Sequence, residues 1–380
     1  MSFLRGSAII TGYPLRIARV RDSIRNRGVD GFLVTDLINI RYLSGFRGTS
    51  GFILITKRDA VFVTDFRYRE EAERELSKKD SRGGATSRSS VAWEIVIEKG
   101  NRFGTIRKLL RSLGVGMLGF ESSVSYEVFS ALSRIGAGLK PLRGLVEGLR
   151  AVKDADEIAL IRQAVRRAED AFRDIKPRIR AGRSELEIAG MLEERLKKRG
   201  CNRIPFDIIV ASGDNAAMPH AKATEKRLSP GDLVVVDWGG EAEGYVSDMT
   251  RTLLLRGGDM TRKKGIYEAV LKANRDAISS VSPGEQGKII DGTARESIGN
   301  AGYGEYFGHG TGHGVGLEVH ELPRITWTKR TVVQEHMVFT VEPGIYLPGL
   351  GGVRIEDMVL VRSAGCEVLT TLPKNLEIIA

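Results

Sequence analysis

The chain has 380 residues, 42% apolar and 28% charged, an ordinary globular balance long enough for two or three domains. No window approaches the roughly 18 to 20 uncharged apolar residues of a membrane-spanning helix, and the opening stretch MSFLRGSAIITGYPLRIARVRD shows no clear small-residue cleavage site, which disfavours membrane and secreted classes. The formal charge of +10 is concentrated in residues 1–150, with 26 Lys and Arg against 15 Asp and Glu, while residues 151–380 carry 32 against 33.

That asymmetry marks two domains, 1–150 and 151–380. The cut falls in LRAVKDADEIALIRQAVRRAEDAF, where an extended run gives way to a long helical pattern. In the first domain, helical periodicity over Pro14 to Arg27 precedes apolar runs at Gly31 to Thr35, Gly51 to Thr56 and Ala60 to Thr64, then a helix over Phe66 to Leu76. Ser77 to Ser90 is polar, Gly- and Ser-rich and reads as a mobile loop. AWEIVIE, a helix near Phe103 to Leu113, VGMLGFE and a helix near Tyr126 to Ile135 follow. The pattern is α/β, without a phosphate-binding glycine fingerprint.

The second domain opens with two long helices, the second started by Ser184 with Glu187 three residues on, a capping box. That helix ends at Gly200 after the solvated run LEERLKKR, whose cations suit a helix C-terminus. Strands then dominate: FDIIVA, LVVVDWGG, GYVSDMTRTLLL, MVFTVEPGIY and GVRIEDMVLV, interrupted by helices over Arg262 to Ser280 and Gln286 to Gly299. Helices and strands grouped in blocks predict an α+β domain with a largely antiparallel sheet. Cys201 and Cys366 lie in no Cys-x-x-Cys pair, so neither a disulfide framework nor a thiolate metal site is expected, and a reducing, cytoplasmic compartment is.

Three of the five histidines, His309, His313 and His320, fall in GHGTGHGVGLEVHE, whose glycines preclude a helix and let the backbone approach a ligand. A Gly-rich surface turn is the bland alternative, and carboxylates decide against it. Asp237 ends LVVVD, Asp248 sits in YVSDMTRT, Glu342 ends VFTVE and Glu356 interrupts VRIEDMVLV. An ionised carboxylate costs several kcal/mol to bury unless it is paired or metal-bound. Arg251 and Arg354 are too few to compensate four acids. Oxygen-rich ligation with one imidazole favours Mn²⁺ or Mg²⁺, with Co²⁺ and Zn²⁺ as borderline ions. The glycine-rich connection between Asp237 and Asp248 allows the two to face each other across a ladder, and the two-residue period puts Arg354, Glu356 and Met358 on one face, so that Arg354 can orient Glu356 or a neighbouring acid. Trp238 either lines the pocket or packs; His336, Met337 and Met358 read as structural.

The ordered set Asp237, Asp248, His313, Glu342 and Glu356, with HGTGHGVGLEVHE, VEPGIY and GVRIED around it, closely resembles the pita-bread metallopeptidases, nearest their proline-specific branch of prolidases and Xaa-Pro aminopeptidases. The resemblance covers the whole chain, since NIRYLSGFRGTSGFILI is similar to the family's N-terminal α/β (creatinase-N-like) domain. It implies a C-terminal pita-bread catalytic domain with two divalent ions per subunit, Mn²⁺ first, bridged by Asp248 and Glu356, with Asp237 on one ion and His313 and Glu342 on the other. It further implies catalytic roles for His220, His309, His320, Glu342 as general base, and Arg354, with Arg324 placed to receive a substrate carboxylate. Ala221 departs from the Gly or Tyr more usual after the equivalent of His220, which bears on the shape of that loop alone. The implied substrates are small proline-containing peptides, the activity that of an Xaa-Pro dipeptidase or, alternatively, an aminopeptidase on longer peptides, and the assembly a homodimer.

Filled ligand positions disfavour a metal-free peptide- or nucleic-acid-binding relative. The size of the N-terminal domain disfavours a methionine aminopeptidase. The basic surplus alone, without a binding motif, reads as a solvated surface and not as a nucleic-acid site.

Overall fold

The structure, a computed structural model, describes residues 12–76 and 91–380; the expected Ser77 to Ser90 loop lies outside the described residues. Contacts divide the chain between Arg150 and Ala151.

The N-terminal unit alternates helix and strand in the order α1 (Tyr13–Arg27), β1 (Gly31–Val34), α2 (Leu37–Ser44), β2 (Phe52–Thr56), β3 (Ala60–Asp65), α3 (Arg69–Leu76), β4 (Trp93–Glu98), α4 (Arg102–Ser112), β5 (Met117–Glu121), α5 (Tyr126–Leu132), β6 (Gly138–Leu142) and α6 (Leu145–Ala151). The strands form one sheet in the order β4-β3-β2-β1-β5-β6. Only β2 runs against its neighbours. Two helices depart from the sequence reading. α2 escaped notice, although Asp36 caps it by accepting the Ile38 and Asn39 amide hydrogens. α6 ends at Ala151 and so covers the start of the stretch read as extended. Leu33, Leu54, Val61, Ile106 and Leu118 centre an apolar core on one face of the sheet.

The C-terminal unit begins with α7 (Ala155–Ile175) and α8 (Glu185–Lys198), each opened by a capping box, Asp154 with Glu157 and Ser184 with Glu187. Then come β7 (Ile209–Ser212), β8 (Leu233–Trp238), β9 (Glu241–Ala242), β10 (Tyr245–Val246), β11 (Met249–Leu255), α9 (Thr261–Ser279), α10 (Gly287–Asn300), β12 (Gly312–Gly314), β13 (Glu321–Ile325), β14 (Val338–Val341), β15 (Gly344–Leu347), β16 (Gly351–Arg354), β17 (Asp357–Val361), β18 (Cys366–Val368) and β19 (Ile378–Ile379). One sheet has the order β19-β11-β8-β7, a second β13-β12-β14-β17-β18, and β15 and β16 form a hairpin. All these pairings are antiparallel except β11 with β19. The unit is therefore α+β, as the block pattern predicts.

Three strands that read as continuous are broken, and each break holds an acid. Asp248 lies between β10 and β11, Glu342 between β14 and β15, and Glu356 between β16 and β17. At Glu342 the cause is visible in the sequence: Pro343 has no amide hydrogen to give a ladder. α9 and α10 cover the sheets with Ile266, Val270, Ile290 and Ile298, all fully buried against Phe339, Val341 and Val359. Among the described residues no helix is long and apolar enough to cross a membrane.

Candidate metal centre

His313 is carried by β12, a three-residue strand whose glycines are a packing necessity. A Cβ on Gly312 would stand 1.8 Å from the Thr340 carbonyl oxygen, and one on Gly314 would stand 2.0 Å from that of Leu322. The β12 backbone is thus packed closely between β13 and β14. Its ligand-capable nitrogen and carboxylate oxygens of Asp248 and Glu356 lie within 4.8 Å of one another, all three residues buried. Nε2 of His313 is 3.3 Å from Oε1 of Glu342.

Asp237, in β8, stands opposite Thr250 in the ladder, so the expected pairing of Asp237 with Asp248 across that ladder is corrected. Asp248 lies just beyond the end of β11 because the strand begins at Met249. Arg354 orients the neighbouring acid: its Nη2 donates to Oδ2 of Asp237 at 2.6 Å. The shared face expected for Arg354, Glu356 and Met358 is interrupted between β16 and β17, and Thr250 serves Glu356 instead, donating its hydroxyl at 2.7 Å while accepting from Nε of Arg354 at 3.1 Å.

Burial drives the chemistry of this cluster. It pushes the carboxyls of Asp248 and Glu356 well above the usual range, with neighbouring acids adding to the push, and raises Asp237 despite Arg354. Burial opposes charge on Glu342 and His313 too, but their mutual hydrogen bond prevails, holding the Glu342 carboxyl at about 2 and the imidazole at about 9. Oδ1 of Asp237 is buried without a hydrogen-bond partner. Acids crowded this closely call for a compensating cation, and an oxygen-rich set with one imidazole and one orphaned carboxylate oxygen fits divalent metal.

The five residues open into a cavity of about 460 Å³ whose wall also carries His220, His309, His320, Arg324 and Arg354. Every residue singled out as ligand, catalytic group or carboxylate receptor therefore meets in one place. His320 packs against His313 with ring centroids 4.2 Å apart, and burial with the nearby His313 and Arg324 charges holds it at about 4, a neutral imidazole. His309 is lowered mainly by burial. Arg324 stands opposite His313 in the β12–β13 register. Trp238 packs: it stacks on Phe172 with centroids 4.4 Å apart and donates Nε1 to the Ala168 carbonyl. His336 is half-buried with φ of 68°, and Met358 lies in the core, its sulfur accepting the Asp248 amide hydrogen at 3.3 Å.

Several supporting residues escaped the sequence reading. Tyr346, in VEPGIY, joins His309 to Arg354 through its hydroxyl, at 2.9 Å from each. Buried Glu185 ties down the loop that carries His220, accepting from Ser212, Asn215 and Thr224. Asp291 accepts from the amide and hydroxyl of Thr311, whose carbonyl in turn receives the Glu342 amide hydrogen. The capping signature at Ser184 pointed to the start of α8; nothing in the local pattern pointed to partners so remote in sequence.

Comparison with known proteins agrees with this geometry. Residues 159–363 match the model described as metallopeptidase family M24, and residues 16–152 match the creatinase/prolidase N-terminal domain. A solved structure, an Xaa-Pro dipeptidase from Bacillus anthracis, superposes with a TM-score of 0.90 at 41% identity, covering 97% of this chain and 100% of its own. An Xaa-Pro dipeptidase of Pyrococcus horikoshii is 37% identical over 95% of this chain and 98% of its own length. The X-Pro aminopeptidase structure from Thermotoga maritima superposes with a TM-score of 0.84 at 36% identity, covering 96% of this chain and 99% of its own. The fold and site define a metal-dependent hydrolase with two domains. The chain belongs to metallopeptidase family M24, with the pita-bread fold.

Proposed function

We propose that this protein is an Xaa-Pro dipeptidase that uses two divalent ions, Mn²⁺ foremost, held by Asp237, Asp248, His313, Glu342 and Glu356. The observation that carries the reading is the convergence of these five residues, three buried and two half-buried, with three further histidines and two arginines on one cavity. Two ions there would supply the charge that makes water nucleophilic near neutral pH and offsets a developing oxyanion.

The chain's own groups supply the rest. Glu342 takes the proton of the attacking water on a carboxylate oxygen and passes it to the leaving nitrogen. Neutral His320 donates to the carbonyl oxygen as it gains charge, without bringing a competing cation. His220, on the same cavity, joins His320 in contacting the scissile carbonyl and the leaving group, and His309 shapes the substrate pocket. Arg354 fixes Asp237, and Tyr346 fixes Arg354 and His309 together. A proline nitrogen carries no hydrogen, so recognition falls to a shaped pocket and to the substrate's ends. Arg324 on the cavity wall offers a planar fork to the free carboxylate of a dipeptide.

A second reading, an aminopeptidase on longer peptides, is favoured by one feature. A further groove of about 630 Å³ adjoins the cavity and shares Phe206, Asp207, Ala221 and Lys222 with it. Metal-stripped protein reloaded with Mn²⁺, Co²⁺ or Zn²⁺ and offered an Xaa-Pro dipeptide and an Xaa-Pro-Yaa tripeptide separates the readings: faster cleavage of the dipeptide supports the first, of the tripeptide the second. The unpaired Cys201 and Cys366 suit a cytoplasmic enzyme, and the expected homodimer is checked by light scattering.

A further inference from the structure

Glu342 and Glu356 leave the backbone at a place where regular pairing thins to one long main-chain bond, from the Ile355 amide to the Pro343 carbonyl at 3.4 Å. The β14–β17 ladder ends at the pair Val341 and Asp357, and the β15–β16 ladder resumes at Gly344 and Arg354. Between them, Glu342 and Glu356 give their amide hydrogens away from each other, to the carbonyls of Thr311, just before β12, and Thr250, on β11. The Ile355 carbonyl lies opposite Pro343, which has no amide hydrogen to return to it, and the Val341 carbonyl sits at the last rung of the ladder, beside Asp357; a buried carbonyl short of a donor is costly.

One side chain serves both. Asn274, on α9 and fully buried, donates its two Nδ2 hydrogens to the Val341 carbonyl at 3.0 Å and the Ile355 carbonyl at 3.3 Å. Its Oδ1 accepts Nζ of Lys374 at 2.7 Å, and the same Nζ reaches Oδ2 of Asp357, the residue after Glu356, at 2.7 Å. The lysine fixes which way the amide faces, since only an oxygen can meet it. At the gap the two strands are therefore bridged by a planar amide braced from behind by an ion pair.

We propose that Asn274 is a positioning residue that sets the spacing of the two glutamate ligands, with Lys374 locking it. This rests on the two-ion reading. The amide grips the carbonyl just before each glutamate, so it fixes the backbone from which each ligand departs while leaving both carboxylates free to turn toward the centre.

Titration of the metal-free full chain with Mn²⁺, followed by calorimetry alongside thermal melting, tests this. Asn274→Ser should weaken ion binding about 10- to 100-fold, the range for groups that support ligands, with the fold retained at the assay temperature. Lys374→Met, at a partly exposed site on the far side of the amide, should give a smaller loss in the same direction and be non-additive with Asn274→Ser. Two ions bound with undiminished affinity in both variants, whatever their melting points, would overturn the inference alone. A parent protein that bound fewer than two ions would remove the two-ion reading and this inference with it.

Discussion

Lys153 and Glu321 meet at 2.8 Å with side chains 0% and 3% exposed, a buried ion pair between the segment before α7 and the strand that follows His320. Glu321 opens β13, and Arg324 lies three residues on, so the pair anchors the stretch that presents both cavity residues. Lys153→Met leaves a buried carboxylate short of its cation and should cost about 3 to 5 kcal/mol, measured by denaturant unfolding. The double variant Lys153→Met, Glu321→Gln should recover part of that loss. A single variant as stable as the parent would show that the pair contributes nothing net.

Thr250→Val keeps shape and removes one hydroxyl, the donor to Glu356 and the acceptor for Arg354. Both partners are buried, and the loss should be about 1 to 3 kcal/mol in ion binding or turnover. Metal content after dialysis and kcat/KM are the measurements; parent values in both would show that the two charged groups hold themselves.

Glu356→Ala and His320→Ala should fail differently. The first removes one of the three groups gathered within 4.8 Å and should lose most bound metal together with nearly all hydrolysis, the fold remaining. The second should keep its metal and lower turnover, because the neutral imidazole acts on charge that develops in the transition state. Elemental analysis beside kinetics distinguishes them, and metal loss in the His320 variant would place that residue among the ligands.

Arg324→Ala should weaken dipeptide hydrolysis by one charge-assisted hydrogen bond, about 1.5 to 3 kcal/mol. That is roughly 10- to 150-fold in kcat/KM. Tripeptides, whose carboxylate lies one residue farther out, should lose much less. Lysine at this position should recover only part, for want of the planar fork. Equal losses on both substrates would limit Arg324 to supporting β13 and favour the aminopeptidase reading.

The roles of His220, His309, His320 and Arg324 were legible only through the resemblance, whereas the four acids were legible because their type is costly in its surroundings: an acid at the end of VFTVE or inside VRIEDM asks for an explanation that a surface acid does not. Their supports were not. Asn274, Asp291 and Glu185 lie on helices where periodicity marks an inward face but no local signal names a partner on another element. The strand breaks at Asp248 and Glu356 were equally hidden, since apolar alternation runs through them; only at Glu342 does Pro343 announce the gap. α2 was missed because LINIRYLS, rich in branched residues, lacks a clean helical stripe, and Asp36 was its one clear marker.

The bonds that complete the site join distant parts of the chain. The Arg354–Asp237 contact spans 117 positions and the Thr250–Glu356 contact 106. Contacts of such span form late, because the loops they close must first be ordered. Ion capture should therefore follow the slowest folding step and stabilise what it finds by mass action. In a cell, a molecule that has taken up its ions is one that has finished folding, and scarcity of metal would show itself in the lifetime of the protein as well as in its turnover.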